Sequence, residues 1–196
     1  LVMQLDAPGR GFSFRRDDPL DMRMDRSKGA TLAELLAAVD EEGLADVLYV
    51  WGEERHARRV ARAILRARDD APIETTGRLA DVVRRAIPRK GYSRIDPATR
   101  TFQGLRIWVN RELDGLDTFV SRAVSHLAPG GRLAIISFHS LEDRVVKHTL
   151  RALQSEGRVV IRTKRPLVPT ADEVARNPRA RSAKLRVAER VLAGAA

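Results

Sequence analysis

The sequence predicts an α/β protein with a helical region set into it. Three observations predict that class. Leu133-Ala134-Ile135-Ile136-Ser137-Phe138 is a continuous apolar run between the Gly130-Gly131 pair and a polar tip, His139-Ser140. Such a run suits a strand covered on both faces, as in a parallel α/β sheet. The strand is flanked by segments whose apolar residues recur every three or four positions. Residues 31–88 carry helical periodicity throughout and offer no strand.

Composition narrows the partners. The chain has 196 residues, 43% hydrophobic and 32% charged, enough for one folded domain or a domain with an insertion. No run approaches the roughly 18 apolar residues of a membrane span, so no membrane partner is expected. Cysteine is absent, which excludes disulfides and thiolate metal sites and fits a reducing, cytoplasmic setting. Lys and Arg number 36 against 26 Asp and Glu, a net charge of +10. A fold this basic points to a polyanion, most often nucleic acid.

Taken in order, residues 1–28 read as irregular, punctuated by Pro8, Gly9, Gly11 and Pro19, with Phe12 and Phe14 placed to anchor into a core. Asp21 and Asp25 flank Met22-Arg23-Met24. Asp–Arg pairing in a docked loop is favoured over a metal site, and no metal is expected. Thr31-Leu32-Ala33-Glu34 is a capping box, opening a helix with Leu32, Leu35, Leu36 and Val39 inward. A second short helix begins at Gly43. A third runs from Glu53 to about Arg68, with acids at its start and arginines later, and His56 reads as a surface or partner-helix residue rather than a ligand. Thr75 or Thr76 caps a fourth. Arg89 to Arg100 is a basic loop containing Tyr92, fit either to hold phosphate and stack a base or to lie in solvent. Phe102, Leu105, Val109, Leu113, Leu116, Val120, Val124 and Leu127 predict one long helix over 98–128, stopped by Pro129-Gly130-Gly131. After the central strand, Leu141, Val145, Val146 and Leu150 predict a helix. Val159 to Arg162 reads as a strand, Thr170 caps a short helix, and Ser182 to Val191 reads as a last strand or a helix.

In open α/β sheets ligands sit beyond the carboxyl ends of the strands. Here that end is Phe138-His139-Ser140, so His139, Ser140 and Asp143 are the catalytic candidates. Ser140 with Asp143 equally fits S-x-x-D, a helix cap. The sequence holds no G-x-S-x-G, G-x-x-x-x-G-K, G-x-G-x-x-G or H-E-x-x-H. Residue chemistry alone therefore reaches a basic α/β protein that binds nucleic acid.

Several blocks go further. They are Gln4-Leu5-Asp6, Gly11-Phe12-Ser13-Phe14-Arg15, Pro19 to Asp25, Gly52-Glu53-Glu54-Arg55, Pro97 to Gln103 with Leu105-Arg106-Ile107 and Val109-Asn110, Gly130 to Lys147, and Asn177 to Arg186. Together they resemble the bacterial S-adenosylmethionine-dependent 16S ribosomal RNA cytosine-N4 methyltransferase family, RsmH or MraW. The resemblance covers nearly the whole chain, in order.

It implies a Rossmann-like class I methyltransferase sheet, incomplete here, with an inserted all-α helical domain. Residues 1–25 would end the first methyltransferase segment, 26–100 would be the insertion, and 101–196 the return to the sheet. The implied reaction is methylation of a cytosine N4 amine in the decoding centre of 16S ribosomal RNA, with S-adenosyl-L-methionine as donor and the small ribosomal subunit as partner. The family's glycine-rich cofactor segment and its Asp-Leu-Gly-x-Ser-Ser motif precede the match, and Leu1-Val2 stands where Ser-Ser is expected. Gln4 alone falls on a cofactor-binding position. The chain thus resembles the C-terminal two-thirds of the enzyme, and by itself it is expected to bind the cofactor weakly and to be inactive or nearly so. RNA contacts are expected at Arg100, Arg106, Asn110, Arg179, Arg181 and Lys184, where the alternative is an ion pair or a helix cap. The competing functions are a non-catalytic RNA-binding or ribosome-assembly module lacking the cofactor half, and a basic helical module for DNA.

Overall fold

A computed structural model describes residues 7–88 and 95–191. Gln4 and most of the basic loop, from Arg89 through Tyr92 to Arg94, lie outside the described residues. The chain divides into two compact units, Leu1–Glu112 and Leu113–Ala196.

The first unit is helical: α1 (Leu32–Ala38), α2 (Glu41–Val50), α3 (Ala57–Asp70), α4 (Thr76–Ala86) and α5 (Ala98–Asn110). Their starts follow from local chemistry. The Thr31 hydroxyl accepts from the Glu34 amide while the Glu34 carboxylate reaches back to the Thr31 amide, so the expected capping box is formed. Asp40 caps α2 and Thr75 caps α4. The third helix starts at Ala57 rather than Glu53, because Glu53 takes a left-handed backbone (φ 49°) that no helix can contain. His56 is exposed, as expected. Arg68 donates to the Leu36 and Val39 carbonyls (2.9 and 2.8 Å), closing the end of α1 with a cation. The core is Leu32, Leu36, Leu44, Leu48, Val60, Ile64, Leu79, Val83 and Leu105. Leu20 and Met22 from the irregular segment join it, and Phe14 meets Phe102 edge-on at 4.8 Å.

The long helix predicted over 98–128 is two helices: α5 ends at Asn110 and α6 (Leu116–His126) begins after a turn. Arg111 and Gly115 both sit in the left-handed region (φ 50° and 71°), and two such residues reverse a helix rather than continue it. The division between the two units falls inside this turn.

The second unit adds β1 (Arg132–Ser137), α7 (Ser140–Ser155), β2 (Val159–Ile161), α8 (Ala171–Arg176), a 3-10 turn (Pro178–Ser182) and β3 (Lys184–Arg190). The strands form one mixed-class α/β layer in the order β1-β3-β2, and both pairings are antiparallel. The parallel pairing expected for β1 is not among the described strands, because β3 returns beside it in the opposite direction. Leu133, Ile135, Ala188, Val159 and Ile161 turn to one face, where Val120 and Val124 of α6 and Val146, Leu150 and Leu153 of α7 cover them. The other face carries Ala134, Ile136, Leu185, Val187 and Val160, since partners across a ladder share a face. Ile136 is 57% exposed there. The expectation that this strand is buried on both faces is therefore corrected: within this unit helices cover one face only. No described helix is long and apolar enough to cross a membrane.

Candidate functional site

The turn from β1 into α7 carries the catalytic candidates, and its backbone needs decide much of their geometry. The cap residue is His139, one place earlier than S-x-x-D predicts. Its Nδ1 accepts from the Glu142 amide at 3.3 Å, and Glu142 Oε2 accepts from the amides of Phe138 (2.9 Å) and His139 (3.3 Å). An imidazole thus does the work usually given to a hydroxyl or carboxylate. Ser140 follows as the first residue of the helix. Nε2 of His139 lies 3.3 Å from Glu142 Oε1, in ion-pair range when protonated. Burial pushes the Glu142 carboxyl up, but His139 and the two amides outweigh it and hold it below the ordinary glutamate value.

Asp143 is committed elsewhere. Both of its oxygens accept from Arg186 on β3, at 2.6 and 3.0 Å, and Lys184 stands at 3.8 Å. Asp143 and Arg186 are both buried. The Arg186 guanidinium holds the Asp143 carboxyl below its ordinary value against the opposing effect of burial, with Lys184 and Lys147 adding to the fall. This pair ties α7 to the central strand of the sheet. Arg186 belongs to the basic run Arg179, Arg181, Lys184 and Arg186, and that run alone does not reveal its partner. The signal was present: Asp143 falls on the stripe Asp143, Val146, Leu150 and Leu153 that faces the sheet, and a carboxylate there requires a buried cation.

In the helical unit, Asn110 makes three hydrogen bonds. Its Oδ1 accepts from the Met24 amide (2.7 Å), and its Nδ2 donates to the Met22 and Arg106 carbonyls (2.8 and 2.9 Å). It pins a loop whose Met22 is wholly buried with φ 59°. Within that loop Asp21 binds Arg23 (2.7 Å) and Arg26 (3.2 Å), the expected Asp–Arg pairing. Arg106 forms a two-pronged pair with Glu112, at 2.7 and 2.9 Å. Arg100 is exposed on α5 and reaches the Glu53 carbonyl at 3.3 Å. Arg179 and Arg181 are exposed on the 3-10 turn, and Lys184 is half-buried beside Asp143. Arg100, Arg106 and Asn110 thus gather on α5 of the first unit, and Arg179, Arg181 and Lys184 gather around the start of β3 in the second.

Gln4, the expected cofactor residue, lies outside the described residues, and at the strand tip His139 and Glu142 are engaged in the helix cap.

Residues 2–191 match the MraW methylase family. A Synechococcus elongatus protein named ribosomal RNA small subunit methyltransferase H is 55% identical over 190 residues, covering 96% of this chain and 62% of that protein. A protein of the same name from Bradyrhizobium diazoefficiens is 52% identical over 207 residues, covering 98% of this chain and 62% of its own length. The chain therefore spans a little under two-thirds of the curated relatives it matches.

Proposed function

Given that this chain belongs to the MraW methylase family, we propose that it supplies the RNA-facing and late-sheet part of an S-adenosylmethionine-dependent enzyme. That enzyme methylates the N4 amine of a cytosine in the decoding centre of 16S ribosomal RNA. The observation that carries this reading is the family match across residues 2–191, joined to the name shared by its relatives.

The donor, when bound, supplies a methyl group on a sulfonium, already activated for transfer. What the chain's own residues then do is bind and orient. The target base has to leave its stack to be reached, and the amine has to be held in line with the methyl group. In this reading Arg100, Arg179, Arg181 and Lys184 serve as phosphate contacts on the RNA. Arg106 and Asn110 act one step back, fixing α5 and the loop at Met22–Met24. His139 and Glu142 hold the tip of β1 in shape. Residues 26–100 stand as the insertion, and residues 1–25 and 101–196 as the methyltransferase segments on either side of it.

The test is methyl transfer from labelled S-adenosylmethionine to isolated small ribosomal subunits, with the modified base identified by mass spectrometry. The chain alone is expected to give no incorporation. A chimera with the N-terminal segment of the Synechococcus relative joined ahead of it is expected to place one methyl on a cytosine N4. A folded chimera that labels another base, or none, overturns the proposal.

A second reading is a non-catalytic RNA-binding module. The observation favouring it is that His139 and Asp143 are both occupied in holding the scaffold. It predicts an inactive chimera alongside retained binding of the chain to subunits.

A further inference from the structure

We propose that a cleft beside α7 is a phosphodiester-binding site, over which a single strand of RNA lays its backbone; the choice of RNA rests on the reading above. The cleft has a volume of roughly 330 Å³. Apolar Leu150 and Ile161 line it together with four cations, Lys147, Arg151, Lys164 and Arg186, and no carboxylate is in that lining.

The cations are arranged in two tiers. Arg186 forms the floor: it is buried, and Asp143 fixes it through two hydrogen bonds. Lys147 and Arg151 follow Asp143 on α7 at successive intervals of four, which stacks them along one helix face. Lys164 stands opposite, on the segment after β2. That wall is held in place independently of any ligand. Gln154 accepts from the Ile161 amide at 2.9 Å, and Thr163 Oγ1 accepts from the Val187 amide at 2.9 Å. Lys147, Arg151 and Lys164 make no ion pair or hydrogen bond with the described residues. Asp143 neutralises Arg186, which leaves Lys147, Arg151 and Lys164 as excess positive charge; like charges held together repel, and an incoming anion removes that repulsion. A backbone of repeated phosphates does so at several cations at once, whereas a lone anion meets only one or two.

The site is distinct from the contacts placed above, which involve Arg100, Arg179, Arg181 and Lys184. It predicts that RNA continues along α7 toward β2, away from the strand tip.

The test is fluorescence anisotropy of a short labelled single-stranded RNA titrated with the 196-residue chain over a range of salt. Two variants remove charge from the cleft: the double Lys147→Gln/Arg151→Gln, and Lys164→Gln. A control, Arg59→Gln/Arg66→Gln, removes the same charge from the exposed side of α3. Each phosphate contact on a single strand contributes about 0.7 to the slope of log affinity against log salt. The cleft double variant is expected to lower that slope by about 1.4 and the single by about 0.7, with thermal melting unchanged. The control is expected to leave the slope as it is. Slopes unaltered by the cleft variants, or lowered equally by the control, overturn the proposal. So does loss of binding to phosphatidylserine vesicles with RNA binding intact, which would make the cleft a lipid site. Saturation by inorganic phosphate with no effect of the variants on RNA overturns it too. A chain that binds no RNA overturns the RNA part of the proposed function along with this site, whereas RNA binding that ignores the cleft overturns this site alone.

Discussion

The Asp143–Arg186 pair shows how a candidate catalytic group becomes a structural one. Both ions are nearly out of water, with side chains 11% and 7% exposed. Removing one partner strands the other, and for buried pairs that costs about 3–5 kcal/mol. Asp143→Ala should lower unfolding free energy by that amount in denaturant titration. The double variant Asp143→Leu/Arg186→Met should regain most of it, since apolar residues of like volume tolerate such a site. Asn110 presents the same lesson in neutral form. Asn110→Ala removes the hydrogen bonds to the Met24 amide and the Met22 carbonyl, and about 1–3 kcal/mol of stability should be lost in the same assay. At this scale the sequence was only partly legible. Residue type marked Asp143 and Asn110 as important, but type does not reveal which neighbour a side chain meets. Asp143's partner lies 43 positions away, and Met24 is 86 positions from Asn110.

Elements were legible where a local signal defined them and illegible where periodicity had to carry the reading alone. The Thr31 box, the Thr75 and Thr170 caps and β2 emerge from a few adjacent residues, whereas β3 reads from sequence as either strand or helix. The break between α5 and α6 does not, because Val109, Leu113 and Leu116 keep helical phase across it. A turn that preserves phase is invisible to a period count. The packing of α5 against the end of α2 depends on two facing glycines. A Cβ on Gly104 would lie 2.7 Å from the Gly52 amide nitrogen and 2.9 Å from its Cα, and both obstacles are backbone. Gly104→Ala should therefore destabilise the helical unit by about 1–3 kcal/mol, even though alanine is the better helix former by about 1 kcal/mol. Thermal melting followed by circular dichroism reads the result. An unchanged or raised melting temperature would mean that the helices can move apart at no cost.

Across the whole molecule, ion pairs set the response to acid. Glu189 accepts from Arg162 and Arg132 on the open face of the sheet, and they hold its carboxyl at about 2 against an ordinary 4.5. Asp143 and Glu142 are shifted in the same direction. A carboxylate whose value is lower folded than unfolded contributes its full stability above the unfolded value and loses it as pH falls through the folded one. Stability should thus be level down to about pH 4.5 and fall from there toward about 2, measured as the denaturant midpoint at each pH. Glu189→Gln should make that fall shallower. The fold class and the basic character were legible at this scale because they are sums over many residues. The covering of β1 was not. An apolar run records that both faces can be buried, and says nothing of which segment does so.

The bare face around Ile136 and Val160, with β1 paired along one edge only among the described residues, sets how this chain behaves on the bench. Unshielded apolar surface takes up hydrophobic dyes, and an unpaired strand edge templates a second copy. A net charge of +10 opposes that encounter at low ionic strength. The same chain should therefore stay dispersed in dilute buffer and cloud as salt screens its charge, the reverse of ordinary salting-in.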